Sequence, residues 1–391
     1  MPTLHSGLGR LKLSGRRPSA RSVSDAPAAF CRDMLLKASR TFALTVPMLP
    51  TPLDNIVGVA YLLCRVADTI EDEADIPASV RSGLLHELEP LVALPPDWRE
   101  ASADFADRAC RLLDSSAPAD QVSLVAGLPV LLTDRAGRPR PARQLVHKCV
   151  HDMATGMAKT ALRGESAPGP GPVVADVDGL LEYCDIVAGT VGEMLTGLFA
   201  WHSGGVAAAL PALEPRALAF GRTLQLTNII KDVSVDAAAG RCWLPRSILA
   251  DCGLDSADQL RDSGLAVRRS GVLRRMLSLT LRELDDALAY VHAVPVADTA
   301  IRRFCVIQLV MSELTLRKAW EGRDSFGREP VKISRNAVKA SLGVTYIATS
   351  RPAALSAVFA GLRATLPSSE MSTRLRTTGE MEQRSCHRNL R

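Results

Sequence analysis

A chain of 391 residues with 47% hydrophobic and 23% charged residues has ordinary globular composition and enough apolar material for a sizeable core. Aromatics make up only 4% while Ala and Leu abound, which favours helix over strand. The formal net charge of +5 belongs to the ends, because residues 1–24 carry five basic residues and no acid, and 366–391 carry five Arg against three Glu; the body between is slightly acidic, so the charge does not imply a nucleic-acid-binding body, and no nucleic-acid partner is expected.

Residues 1–25 read as a disordered basic tail, Ser-rich and without the apolar segment of a secretory signal. Apolar periodicity then predicts helices over 28–40, over 41–50 with its prolines at 47 and 50, and over 52–73, where Pro52 stands at a first helical position. Pro77-Ala78-Ser79 and Pro95-Pro96 separate further helices over 80–94 and 98–115, and another covers 120–134. After a turn at 135–141 comes a long helix over 142–162, then a glycine- and proline-rich loop at 164–172. Helices over 177–203, 215–235, 257–292 and 296–321 complete the pattern, and only Val331-Lys332-Ile333-Ser334 hints at a short extended piece. We find no internal repeat. The expected organisation is one large all-α domain over 26–360, followed by a disordered tail over 361–391. The nine cysteines are never closer than ten residues, so there is no zinc knuckle, and reduced, buried thiols in a cytoplasmic protein are expected. No run of 18 apolar residues suggests a membrane span.

Two acid clusters carry the chemistry. In Asp68-Thr69-Ile70-Glu71-Asp72 the three carboxylates fall at i, i+3 and i+4 and emerge from one helical face. In the second, Asn228, Asp232 and Asp236 are spaced by four, with Gln225 on the same stripe. A solvated face would be polar along its whole length, whereas both stripes interrupt apolar helices. Buried polar groups need partners, and a divalent cation supplies them; carboxylates holding Mg²⁺ usually serve a phosphate-bearing substrate. Arg65, three residues before Asp68, and Lys231 suit capture of phosphate oxygens. Gly240-Arg241-Cys242-Trp243 follows the second cluster with another Arg. His147 and His151 stand at a spacing that can bind zinc, but no HExxH pattern or third ligand accompanies them, so a helix-surface pair is expected. Trp201 and Trp320 read as core or pocket wall, and Asp75 as solvated.

Six segments in order resemble the squalene/phytoene synthase family of head-to-head prenyl diphosphate synthases, over about residues 26–345. They are Ser39-Arg40-Thr41-Phe42, Tyr61 through Asp72, Gly156-Met157-Ala158, the Tyr183-Cys184-Asp185 to Gly192 stretch, Leu224 through Asp236, and Phe304-Cys305 with Val331-Lys332-Ile333. The D-T-x-E-D form and the Val-Lys-Ile are similar to the squalene synthase branch rather than the phytoene synthase branch.

The resemblance implies an isoprenoid-synthase-type helical bundle around a central apolar cavity. It implies condensation of two farnesyl diphosphates through presqualene diphosphate to squalene, with Mg²⁺ or Mn²⁺ held by Asp68, Glu71, Asp72, Asp232 and Asp236. Ser39, Arg40, Phe42, Arg65, Gln225 and Lys231 become candidate substrate contacts, Asn228 and Lys332 candidate NADPH contacts, and Tyr183 the residue aiding proton loss. Asp68, Asp72, Asp232 and Asp236 join Tyr183 as catalytic candidates. No GxGxxG supports NADPH independently. A monomer is expected, cytoplasmic and with the arginine-rich tails able to touch an anionic membrane.

The chain departs from the family's pattern at Val235, where Glu usually precedes the last Asp, at Lys231, where animal enzymes have Arg, and at Ser334, where a basic residue commonly follows the Val-Lys-Ile. The hydrophobic C-terminal anchor of eukaryotic squalene synthases is not matched. Phytoene or dehydrosqualene synthesis, or release of presqualene diphosphate, is therefore kept as a rival. So are a class I terpene cyclase, against which Asp232 and Asp236 argue, and a catalytically silent helical prenyl-binding protein.

Overall fold

Apolar residues recur on one or more faces of every long segment, and in the computed structural model those segments are helices. The structure describes residues 26–73, 75–113, 117–165 and 173–367; the tail at 1–25, most of the tail from 361 and most of the loop at 164–172 lie outside them. In chain order the α-helices are α1 (Ala26–Ala38), α2 (Arg40–Thr45), α3 (Leu53–Asp72), α4 (Ala78–Val92), α5 (Trp98–Leu113), α6 (Ala119–Ala126), α7 (Leu128–Ala136), α8 (Arg140–Glu165) and α9 (Val177–Cys184). They continue as α10 (Thr190–His202), α11 (Gly204–Leu213), α12 (Ala217–Ala238), α13 (Arg246–Asp251), α14 (Ala266–Ala293), α15 (Thr299–Glu321), α16 (Arg335–Ala348) and α17 (Pro352–Arg363). Among the described residues there is no strand. The 331–334 piece is a connection whose Val331 N–H reaches the Lys231 carbonyl at 3.4 Å, and Ser334 caps α16 by accepting from the Ala337 N–H.

Several expected helices are divided, among them the 41–50 stretch, where α2 passes into a 3-10 turn at Val46–Met48. The 120–134 stretch breaks between α6 and α7 at Gly127, where Pro129 enters near the start of a new helix and offers no N–H to the preceding turn. The 177–203 stretch contains a π-helical turn, Asp185–Gly189, between α9 and α10. The 257–292 stretch begins as two 3-10 turns, Ala257–Arg261 and Ser263–Leu265, before α14 starts. Helices α11, α13, α16 and α17 were not anticipated. Their apolar stripes are short or made of small residues, and α17 runs three residues past position 360.

Helix α3 lies at the centre of one half of the bundle. Its Leu62, Leu63, Val66, Ala67 and Ile70 are completely buried, and each large apolar side chain so buried contributes about 1.5–3 kcal/mol. Helix α12 anchors the other half, packed on α14 and α15, while α10 touches both α3 and α12. The contact between α12 and the α10 segment is backbone against backbone. A Cβ on Gly221 would stand 2.1 Å from the Ala188 carbonyl oxygen, and one on Gly192 2.1 Å from that of Ala217. Gly221→Ala is therefore expected to destabilise the fold by about 3 kcal/mol or more, since the obstructing atoms are main chain and cannot rotate away. Urea unfolding of the variant measures this, and an unchanged midpoint would contradict the close approach.

Candidate active site

The buried face of α3 dictates what its other face presents. With Leu62, Leu63, Val66, Ala67 and Ile70 turned into the core, Tyr61, Arg65, Asp68 and Asp72 form one stripe, and Glu71 sits at its buried margin, 8% exposed. Arg65 Nη1 lies 3.2 Å from Asp68 Oδ2. One turn earlier, Phe42 of α2 packs on Tyr61 with ring centroids 4.7 Å apart, and the Tyr61 hydroxyl donates to the Ala38 carbonyl. The 39–42 segment therefore borders the first acid row. Ser39 serves there as the N-cap of α2, accepting from the Phe42 N–H at 3.1 Å. Arg40 opens α2, and its side chain lies outside the described residues.

Helix α12 carries the second row. Gln225 is half-buried and Asn228 exposed, and Lys231 Nζ donates to Asn228 Oδ1 while lying 3.1 Å from Asp232 Oδ2. Asp236 is turned inward, its side chain 17% exposed, whereas Val235 faces solvent. Past the end of α12, Gly240 takes φ +73°, a conformation that favours glycine. This reversal returns the chain so that the Arg241 N–H donates to the Asp236 carbonyl.

The Arg241 side chain joins the rows. Its Nη1 donates to the Asp72 carbonyl oxygen at 2.5 Å and lies 3.6 Å from Asp72 Oδ1, while Nη2 lies 3.6 Å from Asp236 Oδ1. Two residues on, Trp243 stacks on Tyr183 of α9 with centroids 3.8 Å apart. The segment after Arg241 is held by main-chain bonds to 173–175, among them Val173 N–H to the Cys242 carbonyl and Ser247 N–H to that of Ala175. The π-helical turn just after Tyr183 is fixed by Arg222 of α12, which donates twice to Asp185 at 2.6 Å. Such turns inside α-helices recur at functional sites.

Burial and mutual repulsion set the site's protonation. Burial pushes the Asp68 carboxyl up to about 6, with Arg65 opposing and Asp72 adding to the rise. Glu71 is pushed up to about 8 by burial and then by Asp72 and Asp68, against Arg241 and Arg81. Asp236 rises to about 6 through burial, opposed by Arg241 and reinforced by Asp232 and by Asp72 across the gap. Tyr183 is held well above its ordinary value by burial first and then by Glu71, Asp72 and Asp68.

Crowded, partly dry carboxylates of this kind fit a hard divalent cation, which takes oxygen donors and offsets their repulsion. Asp68, Glu71 and Asp72 on one side and Asp232 and Asp236 on the other are the candidate donor set.

A pH dependence follows from the raised carboxyls. Between the ordinary carboxylate range and about 8, the folded chain retains protons that the unfolded chain has released, so the metal-free fold loses stability as pH rises through that window. Cation binding needs the ionised forms and therefore strengthens over the same window. The gain in Tm on adding Mg²⁺ is expected to grow between about pH 5 and about pH 8.5; a gain independent of pH would count against this donor set.

The structure brings the acid rows, Arg65, Lys231 and Tyr183 into one region. Lys332 is exposed and adjoins that region through the Val331–Lys231 main-chain bond. Arg241 as the link, Trp243 as the stacking partner, and Arg81, whose Nη1 donates to the Glu71 carbonyl at 2.7 Å, were not assigned roles. The only signal for the first two was the Gly-Arg-Cys-Trp turn directly after the second row. A separate cavity of about 790 Å³ opens between α9, α13 and α14, and its lining, which includes Arg268, Arg274 and Arg275, contains no acid-row residue.

Comparison with known proteins shows the family. Squalene synthase of Solanum lycopersicum is 29% identical over 329 residues, covering 83% of this chain and 72% of that protein. Botryococcus squalene synthase of Botryococcus braunii is 30% identical over 320 residues, covering 81% and 62%. The solved structure of TcSQS with the ligand BPH1237 shares the fold at a TM-score of 0.72 and 23% identity, covering 89% of this chain and 94% of that one. A dehydrosqualene synthase structure shares it at 0.58 and 20% identity, covering 82% and 95%. The sequence profile described as squalene/phytoene synthase matches residues 35–337, a span that takes in both acid rows, Tyr183 and Arg241. This chain belongs to the squalene/phytoene synthase family, a family of prenyltransferases.

Proposed function

We propose that the protein is a farnesyl-diphosphate farnesyltransferase that joins two farnesyl diphosphates head to head and reduces the product to squalene. The observation that carries this reading is the single Arg241 guanidinium placed between two opposed carboxylate rows, because a head-to-head coupling must hold two diphosphates facing each other. Asp68, Glu71 and Asp72 would hold Mg²⁺ on one side, and Asp232 and Asp236 on the other. When bound, Mg²⁺ supplies positive charge to the departing diphosphate. Arg65, Lys231 and Arg241 add fixed positive charge around the same oxygens.

Loss of diphosphate from C1 of one substrate leaves an allylic cation. The C2–C3 double bond of the other attacks it, and proton loss closes the cyclopropane of presqualene diphosphate. Tyr183 remains a protonated phenol at neutral pH, so its part is to orient a released diphosphate oxygen that accepts the proton. Its stacking on Trp243 keeps the phenol in place and presents aromatic surface beside the cation. Loss of the second diphosphate and rearrangement follow, and NADPH, when bound, supplies the hydride for the final reduction. Asn228, beside Lys231, and Lys332, which follows the Val331 anchor, are the proposed contacts for that cofactor.

Val235, in the place of the family's usual Glu, faces solvent and gives no ligand, so Asp232 and Asp236 carry the second row between them. Among the described residues no helix is long and apolar enough to cross a membrane. Contact with anionic lipid is proposed for the arginine-rich ends, with salt-dependent sedimentation on anionic vesicles as its readout.

Product analysis by mass spectrometry tests the reading. Farnesyl diphosphate with Mg²⁺ alone should give presqualene diphosphate, and adding NADPH should give squalene. Phytoene from the C20 diphosphate, or dehydrosqualene without NADPH, would replace this assignment with another branch of the family.

A further inference from the structure

We propose that Glu89, His147 and His151 form a binding site for a zinc-class transition-metal dication on the seam between α4 and α8, separate from the acid rows. The sequence offered only the two histidines, one turn apart on α8. The last turn of α4 brings the third ligand from 58 residues earlier, and the three donor groups lie within 4.8 Å of one another.

Glu89 Oε1 stands 3.4 Å from His147 Nε2. Donors about 2.0–2.1 Å from a tetrahedral Zn²⁺ are about 3.3–3.4 Å apart, so this pair is already at ligand spacing. Glu89 Oε1 and His151 Nδ1 are 2.7 Å apart, a hydrogen bond whose proton occupies the place a cation would take. A bound cation would hold this pair about 0.6 Å further apart.

His147 Nε2 is shielded from solvent and has no hydrogen-bond partner, although it faces the carboxylate. An unpartnered ring nitrogen beside a carboxylate and a second imidazole is a donor set awaiting a cation. Two imidazoles and one carboxylate favour Zn²⁺, Co²⁺ or Ni²⁺ over Mg²⁺. The side chains remain 25% to 47% exposed, so an ion can enter and a fourth position stays open to water.

The site lies on a different face of α8 from the one packed on α3. Cys149, about 200° around the helix from His147, is buried against Cys64 of α3, so the histidines point away from the first acid row. Lys148, beside His147 in sequence, is engaged by Asp152 and Glu193. A bound ion would clamp the end of α4 to α8 and stabilise the fold by mass action.

The test uses the full chain with Mg²⁺ in excess. Co²⁺ is titrated while visible absorption is recorded, because tetrahedral Co²⁺ absorbs far more strongly than the octahedral ion expected on carboxylates alone. Strong bands that saturate at a single equivalent and are displaced by Zn²⁺ are expected, together with a Zn²⁺-dependent rise in Tm. Glu89→Gln and His151→Ala should each weaken Co²⁺ binding by about tenfold or more and remove the Zn²⁺ effect, with the metal-free Tm reporting that each variant is folded. Bands and Zn²⁺ stabilisation that persist unchanged in both variants would overturn the proposal, and prenyl-transfer activity has no bearing on either result.

Discussion

Asp232→Ala is expected to lower turnover by about 10³-fold while the helical CD signal stays that of the unaltered protein. Removing one preorganised electrostatic group from a developing charge commonly costs 10²–10³-fold, and here the loss of a proposed metal ligand is added. The side chain is 40% exposed and, among the described residues, its ion-pair partner is the half-exposed Lys231, so truncation leaves neither a cavity nor an orphaned buried charge. The same reasoning covers Asp68→Ala, which leaves a half-buried Arg65 without its carboxylate. That variant should lose slightly more stability and a comparable amount of activity. Steady-state rates with farnesyl diphosphate, read beside CD, decide the matter. Wild-type turnover in either variant would remove these carboxylates from the cation-binding set.

The second large effect is expected at Arg241. Arg241→Ala should reduce turnover by about 10²-fold and move the acidic limb of the pH profile to higher pH. The direction of that shift follows from the charges: Arg241 opposes the upward displacement of both Glu71 and Asp236, so without it both carboxyls hold their protons to still higher pH. Arg241→Lys should recover only part of the rate, since one ammonium cannot span Asp72 and Asp236 as the guanidinium fork does. A purely structural role, in which Arg241 merely satisfies the Asp72 carbonyl at the end of α3, would lower Tm and leave the pH profile in place. The profile therefore separates the two roles.

Much of this site was legible because its residues are local in sequence. Asp68, Glu71 and Asp72 are ordered by helical spacing alone, as are Asp232 and Asp236, and apolar neighbours such as Leu62 and Ile70 dictate which way they face. Arg241 was visible as a residue but not as a bridge, since its partner Asp72 is 169 positions away. The Glu89–His147–His151 cluster is similar: two members share a helix and the third arrives by packing of α4 on α8. Helix ends were displaced where a side chain or ring overrode periodicity, as at Gly127 and Pro129 between α6 and α7, or where the hydrogen-bond register slipped into the π turn at Asp185–Gly189.

From sequence alone, the all-α class, the two carboxylate stripes and the basic residues beside them were determined, because helix periodicity is a short-range property that one chain segment expresses by itself. Only the tertiary structure decided that the stripes oppose each other across one guanidinium, that Tyr183 lies against Trp243, and that Glu89 completes a histidine pair. Each of these depends on how distant helices pack, and the packing is governed by contacts such as Gly221 against Ala188, whose partners no local pattern names.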